Sequence, residues 1–153
     1  MKIRKAEIKD IARIGYLLHQ VNDVHADGRS DLFIHGKRKY NDDELVDIIT
    51  NEKMLIYVAE EDMVLGYCFC VIEEAKGDNL HPIKSLFIDD LCVDENVRST
   101  GIGTALYRYV VEEAKKLQCN RITLNVWCLN TSAMKFYEKM GLQPLKIVME
   151  ERL

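Results

Sequence analysis

Arg98, Ser99, Thr100, Gly101, Ile102, Gly103 and Thr104 put one fixed cation and two closely spaced glycines into a single short stretch. The stretch lies between an apolar run and an amphipathic run, where a strand should give way to a helix. The first N–H groups of a helix have no internal partners, and the helix dipole is positive there. Such a turn can hold phosphates, and glycine lets the backbone approach the anion closely. The spacing is not that of a P-loop, because no Gly-Lys-Ser/Thr occurs. It is a poor dinucleotide fingerprint as well, because Leu106 stands where a third small residue is wanted.

Asp89 and Asp90 interrupt the apolar run that leads into this turn. Strand alternation predicts that they point to opposite faces, so that one at most enters a cleft. Adjacent carboxylates are costly to bury, which favours a functional reason for them. The plainer reading is one carboxylate capping a loop and the other in water. A third polar stretch, residues 23–40, has no clear period and reads as a long loop with at most one helical turn. It carries His25, Asp27, Phe33 and His35. Loops of this length in compact domains are usually functional. A lid over a substrate and a solvated loop both fit, and the irregular spacing supplies no recognisable metal-ligand set. Lys37-Arg38-Lys39 reads as a solvated basic run, or as a contact for an anionic group.

The elements that must position these residues follow from periodicity. Ile3–Ala6 reads as a first strand. Asp10 offers an N-cap to a helix with Ile11, Ile14, Leu17, Leu18 and Val21 on one face, ending near residues 22–25. Asn41 with Glu44 opens a second, short helix that runs to about Glu52. Met54–Ala59 and Val64–Ile72 form an antiparallel hairpin, and Ile83–Val93 a third long strand. A helix from Gly101 to near Gln118 follows, then a strand over Arg121–Trp127. Thr131 or Ser132 caps a last helix, which Gly141 stops. Leu145–Met149 supplies one or two closing strands. The β-α-β passage from Ile83 to Trp127 demands a parallel pair with a right-handed crossover. The expected fold is a single-domain mixed α/β sheet over residues 1–153. Its ligand belongs outside the carboxyl ends of the parallel strands, near Leu91–Gly103 and Trp127–Ala133.

The segment from Ile88 through Asp94 to Arg98-x-x-Gly101-x-Gly103 resembles motif A of the Gcn5-related N-acetyltransferases (GNAT family). Asn130-x-x-Ala133-x-x-Phe136-Tyr137-x-x-x-Gly141-Leu142 resembles their motif B, with Leu142 where Phe is common. The two motifs stand in the family's order and on the expected elements. The resemblance implies a strongly twisted sheet with helices on both faces, whose central parallel strands splay apart to admit acetyl-CoA. The main chain of Leu91, Cys92 and Val93 would pair with the pantetheine. Arg98 and the N–H groups of Ser99 through Thr104 would hold the pyrophosphate. Asn130, near Ala133, would contact the cofactor arm.

Acetyl transfer to an amine then poses two problems. An alkylamine of pKa near 10 is neutral in roughly one molecule per thousand at pH 7, a cost of about 4 kcal/mol. The departing thiolate benefits from a proton donor. The resemblance gives the donor's role to Tyr137 and a contact with the amine to Asp89, with Asp90 as second choice and a water carrying the proton. It also suggests that His25, Asp27 and Phe33 shape the acceptor site. A backbone N–H near Val93 would polarise the thioester carbonyl. Phe87 stands at the more distant position that histone-modifying members fill with a carboxylate, which weighs against histone-like chemistry. The resemblance implies an N-acetyltransferase acting directly in a ternary complex, on a small-molecule amine by preference. A protein N-terminus or lysine as acceptor stays open, as does a non-catalytic acyl-CoA-binding module.

Composition narrows the field. Of 153 residues, 21 are Lys or Arg and 25 Asp or Glu, a net charge of −4, which gives no broad electrostatic reason to bind nucleic acid. No apolar run approaches the length of a membrane span, and the charged start of the chain shows no secretory pattern. Five cysteines without a C-x-x-C pair suit reduced core thiols in a cytoplasmic protein with no metal. A homodimer is expected, because dimers are frequent in the family and the terminal strand offers an edge.

Overall fold

A computed structural model describes residues 1–153. Five strands make one sheet in chain order: β1 (Lys2–Lys5), β2 (Leu55–Glu60), β3 (Val64–Glu74), β4 (Lys84–Val93) and β5 (Arg121–Leu124). The first three pairings are antiparallel and β4–β5 is parallel. The helices are α1 (Ile11–Gly28), α2 (Asp42–Thr50), α3 (Ile102–Lys116) and α4 (Thr131–Lys139).

Alternation along β2 and β3 explains why helices cover both faces. Ile56, Val58, Tyr67 and Phe69 meet Ile14, Leu17 and Leu18 of α1 and Leu45 and Ile48 of α2. Their neighbours Tyr57, Cys68 and Cys70 face the other way, against Tyr107, Val110 and Ala114 of α3. Each fully buried aliphatic or aromatic side chain contributes about 1.5–3 kcal/mol. Asn41 caps α2 by accepting the Glu44 N–H at 2.8 Å. Gly141, at φ +98°, closes α4 as the sequence implies.

Four expectations need correction. Asp10 stands at the N-cap of α1, but its side chain makes no capping bond to that helix. Its carboxylate accepts the Glu7 N–H at 2.8 Å and the Arg4 guanidinium at 2.7 and 3.0 Å, closing a preceding 3-10 turn. Burial alone would raise this carboxyl, but the Arg4 bonds offset it and hold Asp10 below the usual range. Second, α1 runs on to Gly28, because Ala26 lands on the buried stripe despite its polar neighbours. Third, the cap of α4 is Asn130, whose side chain accepts the Ala133 N–H at 3.1 Å. Fourth, β5 stops at Leu124, and residues 143–153 form no strand. Leu145, Ile147, Val148 and Met149 are 67–87% exposed. Ion pairs tie the tail to the end of α1 and the turn after it, Arg29 to Glu150 at 2.7 Å and Asp31 to Arg152 at 3.4 Å.

Candidate active site

The sheet opens between its fourth and fifth strands. β4 pairs with β5 only from Ser85 to Ile88, while on its other edge it stays paired with β3 as far as Val93. The main chain of Leu91, Cys92 and Val93 therefore has a strand on one side and a gap on the other. A register shift in β3–β4 marks the parting point: Phe69 opposes Asp90 and Cys70 opposes Ile88, which leaves Asp89 without a partner. Asp89 is thus the extra residue of a β-bulge, which bends the strand.

The bulge also overturns the expectation that Asp89 and Asp90 lie on opposite faces. Tyr40 stacks on Phe69 at 5.5 Å, and Tyr67 packs edge-on against Phe69 at 5.0 Å. Asp89 accepts the Tyr40 hydroxyl at 2.9 Å, and Asp90 accepts the Tyr67 hydroxyl at 2.7 Å. Both carboxylates therefore lie along one aromatic ladder. Asp89 also receives both hydrogen bonds of Lys39 Nζ, at 2.8 and 2.9 Å. Burial pushes the Asp90 carboxyl up to about 6, against the opposing effects of the Tyr67 hydroxyl and the Lys39 charge. Burial likewise holds the Tyr40 and Tyr67 phenols above their ordinary value, so both act as donors.

At the mouth of the gap the chain turns into α3. Ser99 and Gly101 both take the left-handed conformation, at φ +65° and +90°. Such strain in a non-glycine residue collects at functional sites. Arg98 Nε donates to the Val93 carbonyl at 3.2 Å, tying the turn to the end of β4, and Thr100 donates to the Val97 carbonyl at 2.6 Å. Ala105, bonded to the Gly101 carbonyl at 3.0 Å, makes the first helical bond, and the N–H groups from Ser99 through Thr104 donate to no other backbone group. At Gly103 an added Cβ would meet Phe136 and Val93 at 3.6 Å, ordinary contact. The protein therefore leaves room for a side chain there, and the backbone amides stay open to an anion. The fit to a pyrophosphate is good.

α4 closes the other side. The Tyr137 phenol is pushed above its ordinary value, first by burial and then by Cys68, Asp90 and Tyr107. It stays protonated across the neutral range. Cys92 turns away, its thiol 3.7 Å from the Leu17 carbonyl and pushed up to about 12 by burial, which suits a core residue and not a nucleophile. Asn130 caps its helix, and that use occupies its carbonyl oxygen.

Of the acceptor-site candidates, His25 and Phe33 come together at 5.0 Å, and Phe33 meets Trp127 edge-on at 5.6 Å. Burial, then the Lys39 charge, lowers the His25 pKa and keeps the ring neutral. Asp27 stands apart, exposed and bonded to His35 Nε2 at 2.7 Å. The structure adds Tyr40 and Tyr67 to the site, and brings in Lys39 from the basic run and Trp127 from the stretch expected near the ligand. None carried a motif. Tyr67 had one faint signal, a phenol inside the otherwise apolar run of β3, which needs a buried acceptor.

The profile of the acetyltransferase (GNAT) family matches residues 18–142. An uncharacterized N-acetyltransferase of Bacillus subtilis is 33% identical over 77 residues, 50% of this chain and 49% of that protein. The chain spans about half the length, or less, of the curated relatives it matches. The crystal structure of a mutant BH1408 protein from Bacillus halodurans superposes with a TM-score of 0.94 at 28% identity, covering 100% of this chain and 99% of that one. An aminoglycoside N-acetyltransferase in complex with CoA shares the fold, with a TM-score of 0.72 at 16% identity over 99% of this chain and 98% of its own.

Proposed function

The chain belongs to the acetyltransferase (GNAT) family, and from that premise we propose that it moves an acetyl group from acetyl-CoA to a primary amine within a ternary complex. The observation that carries the reading is the parting of β4 from β5 with an amide-lined turn at its mouth. Leu91, Cys92 and Val93 would offer their free backbone edge to the pantetheine. Arg98 and the turn from Ser99 to Thr104 would hold the pyrophosphate. Asn130, at the start of α4 beside Ala133, would meet the cofactor arm through its amide nitrogen. When bound, acetyl-CoA supplies an electrophilic thioester carbonyl.

The protein's own side chains handle protons and orientation. Asp89 holds the acceptor's ammonium at the bulge. Asp90, raised to about 6, receives a proton through water. Tyr137 donates to the departing thiolate. His25, Phe33 and Trp127 give the acceptor a half-buried, largely apolar wall, which suits a small amine with an apolar body better than an extended peptide. The aminoglycoside enzyme's small amine substrate supports that preference. A test mixes the protein with acetyl-CoA and a panel of polyamines, amino acids, aminoglycosides and peptides and follows free thiol. Turnover confined to peptides would overturn the small-molecule reading. Binding of coenzyme A without turnover on any amine would leave a sensing module.

Asp90 makes a pH prediction. As a base it works only when ionised, so kcat/KM should rise with pH through about 6. Asp90→Asn should lower kcat/KM and erase that limb, whereas Asp89→Asn should chiefly raise the acceptor's KM. Stability should move the opposite way. Between the ordinary carboxyl value and about 6 the folded state binds more protons than the unfolded state, so stability falls as pH rises through that window. Asp90→Asn should therefore raise Tm at neutral pH, as scanning calorimetry would read.

A homodimer is part of the same proposal. The run Leu145–Met149 is apolar and exposed, and β5 ends the sheet with one edge unpaired. A second copy can cover both at once. Sedimentation should give a dimer for the full chain and a monomer after truncation at Pro144. A monomeric full chain at micromolar concentration removes this part.

A further inference from the structure

Lys39 is held where a substrate amine should be. Its Nζ lies 2.8 and 2.9 Å from the two oxygens of Asp89, the bulge residue at which β4 leaves β5. Its placement is set by both neighbours. Arg38 is packed against Gly15 and bonded to Asp42 at 2.7 Å, and Tyr40 is stacked on Phe69 and bonded to Asp89. With the chain pinned on either side, the Lys39 side chain is directed onto the carboxylate. An amine so positioned reacts as part of the same molecule and needs no diffusional encounter.

We propose that Lys39 is itself an acetyl acceptor, a self-acetylation site that works in cis. The inference rests on the acetyl-transfer reading above. Lys39 Nζ first gives up a proton through water to Asp90. Its lone pair attacks the thioester carbonyl carbon, the new C–N bond forms, and the C–S bond breaks. Tyr137 donates a proton to the leaving sulfur, and the second nitrogen proton is lost as the amide forms and restores the phenol through solvent. The products are acetyl-Lys39, coenzyme A and one proton released. The acetylated side chain is neutral and no longer pairs with Asp89. Self-acetylation thus clears the carboxylate for an external ammonium and should lower the KM for cationic acceptors.

Incubating the full chain with acetyl-CoA alone and reading each lysine by peptide mass spectrometry tests this. Lys53 and Lys116, exposed and also paired with carboxylates, are the internal controls. Lys39 should be acetylated roughly tenfold faster than either, at a first-order rate independent of protein concentration. Tyr137→Phe should slow labelling at Lys39 and not at Lys53, and Lys39→Arg should lack the corresponding gain in intact mass. Equal labelling of the three lysines, or a rate proportional to protein concentration, overturns the proposal. Turnover of an external amine with Lys39 unmodified overturns it too, while leaving acetyl transfer standing. Failure to bind coenzyme A or to acetylate anything overturns both readings at once.

Discussion

Gly101→Glu should reduce coenzyme A affinity by roughly 100-fold or more. Two effects combine. Gly101 sits at φ +90°, a left-handed conformation that costs an ordinary residue about 1–2 kcal/mol. The new carboxylate would also stand among the amides proposed to hold the pyrophosphate, a like charge where a dipole is now favourable. Gly103→Ala is the matching control. Its Cβ would find ordinary contact at 3.6 Å, and alanine favours a helix over glycine, so Tm should hold or rise slightly. Affinity should hold within about twofold, because the methyl packs against Phe136 and Val93. Titration calorimetry giving unchanged affinity for Gly101→Glu would remove the anion turn as the cofactor site.

Tyr137→Phe should lower kcat by roughly 100-fold or more while leaving the coenzyme A dissociation constant within about twofold. The substitution removes one hydroxyl and keeps the ring that packs edge-on against Phe136 at 5.1 Å, so the helix should be undisturbed. The phenol is suited to this work because burial and the nearby Asp90 charge keep its proton in place at neutral pH. Single-turnover kinetics would isolate the chemical step. Wild-type kcat in the variant would take the proton-donor role from this side chain.

Local signals were legible in the sequence where one element decides them. The turn from strand to helix could be read from Gly101 and Gly103, because a helix start and two glycines act without help from distant residues, and its use as an anion site is our proposal. The alternation of Tyr67, Cys68, Phe69 and Cys70 carried the two-sided sheet. What escaped reading depends on partners far along the chain. Leu145–Met149 has strand composition, but a strand forms only where an edge receives it, so propensity overcalled the segment. Lys39 and Asp89 lie fifty residues apart, and no local pattern joins them. The placing of Asp89 and Asp90 on opposite faces assumed an unbroken period, and a bulge is a break in period that composition does not announce.

That break gives β4 two parities. Leu86 and Ile88 pack on the α3 side, as their even numbers require, yet Cys92 packs beneath α1 and Leu91 takes the α3 side in its place. The strand begins in one layer's rhythm and finishes in the other's. A chain one residue shorter here would keep a single rhythm from Ser85 to Val93 and would lose the bend at the point where β4 leaves β5. The bend where β4 leaves β5 lies at one surplus residue, and that residue is also a carboxylate.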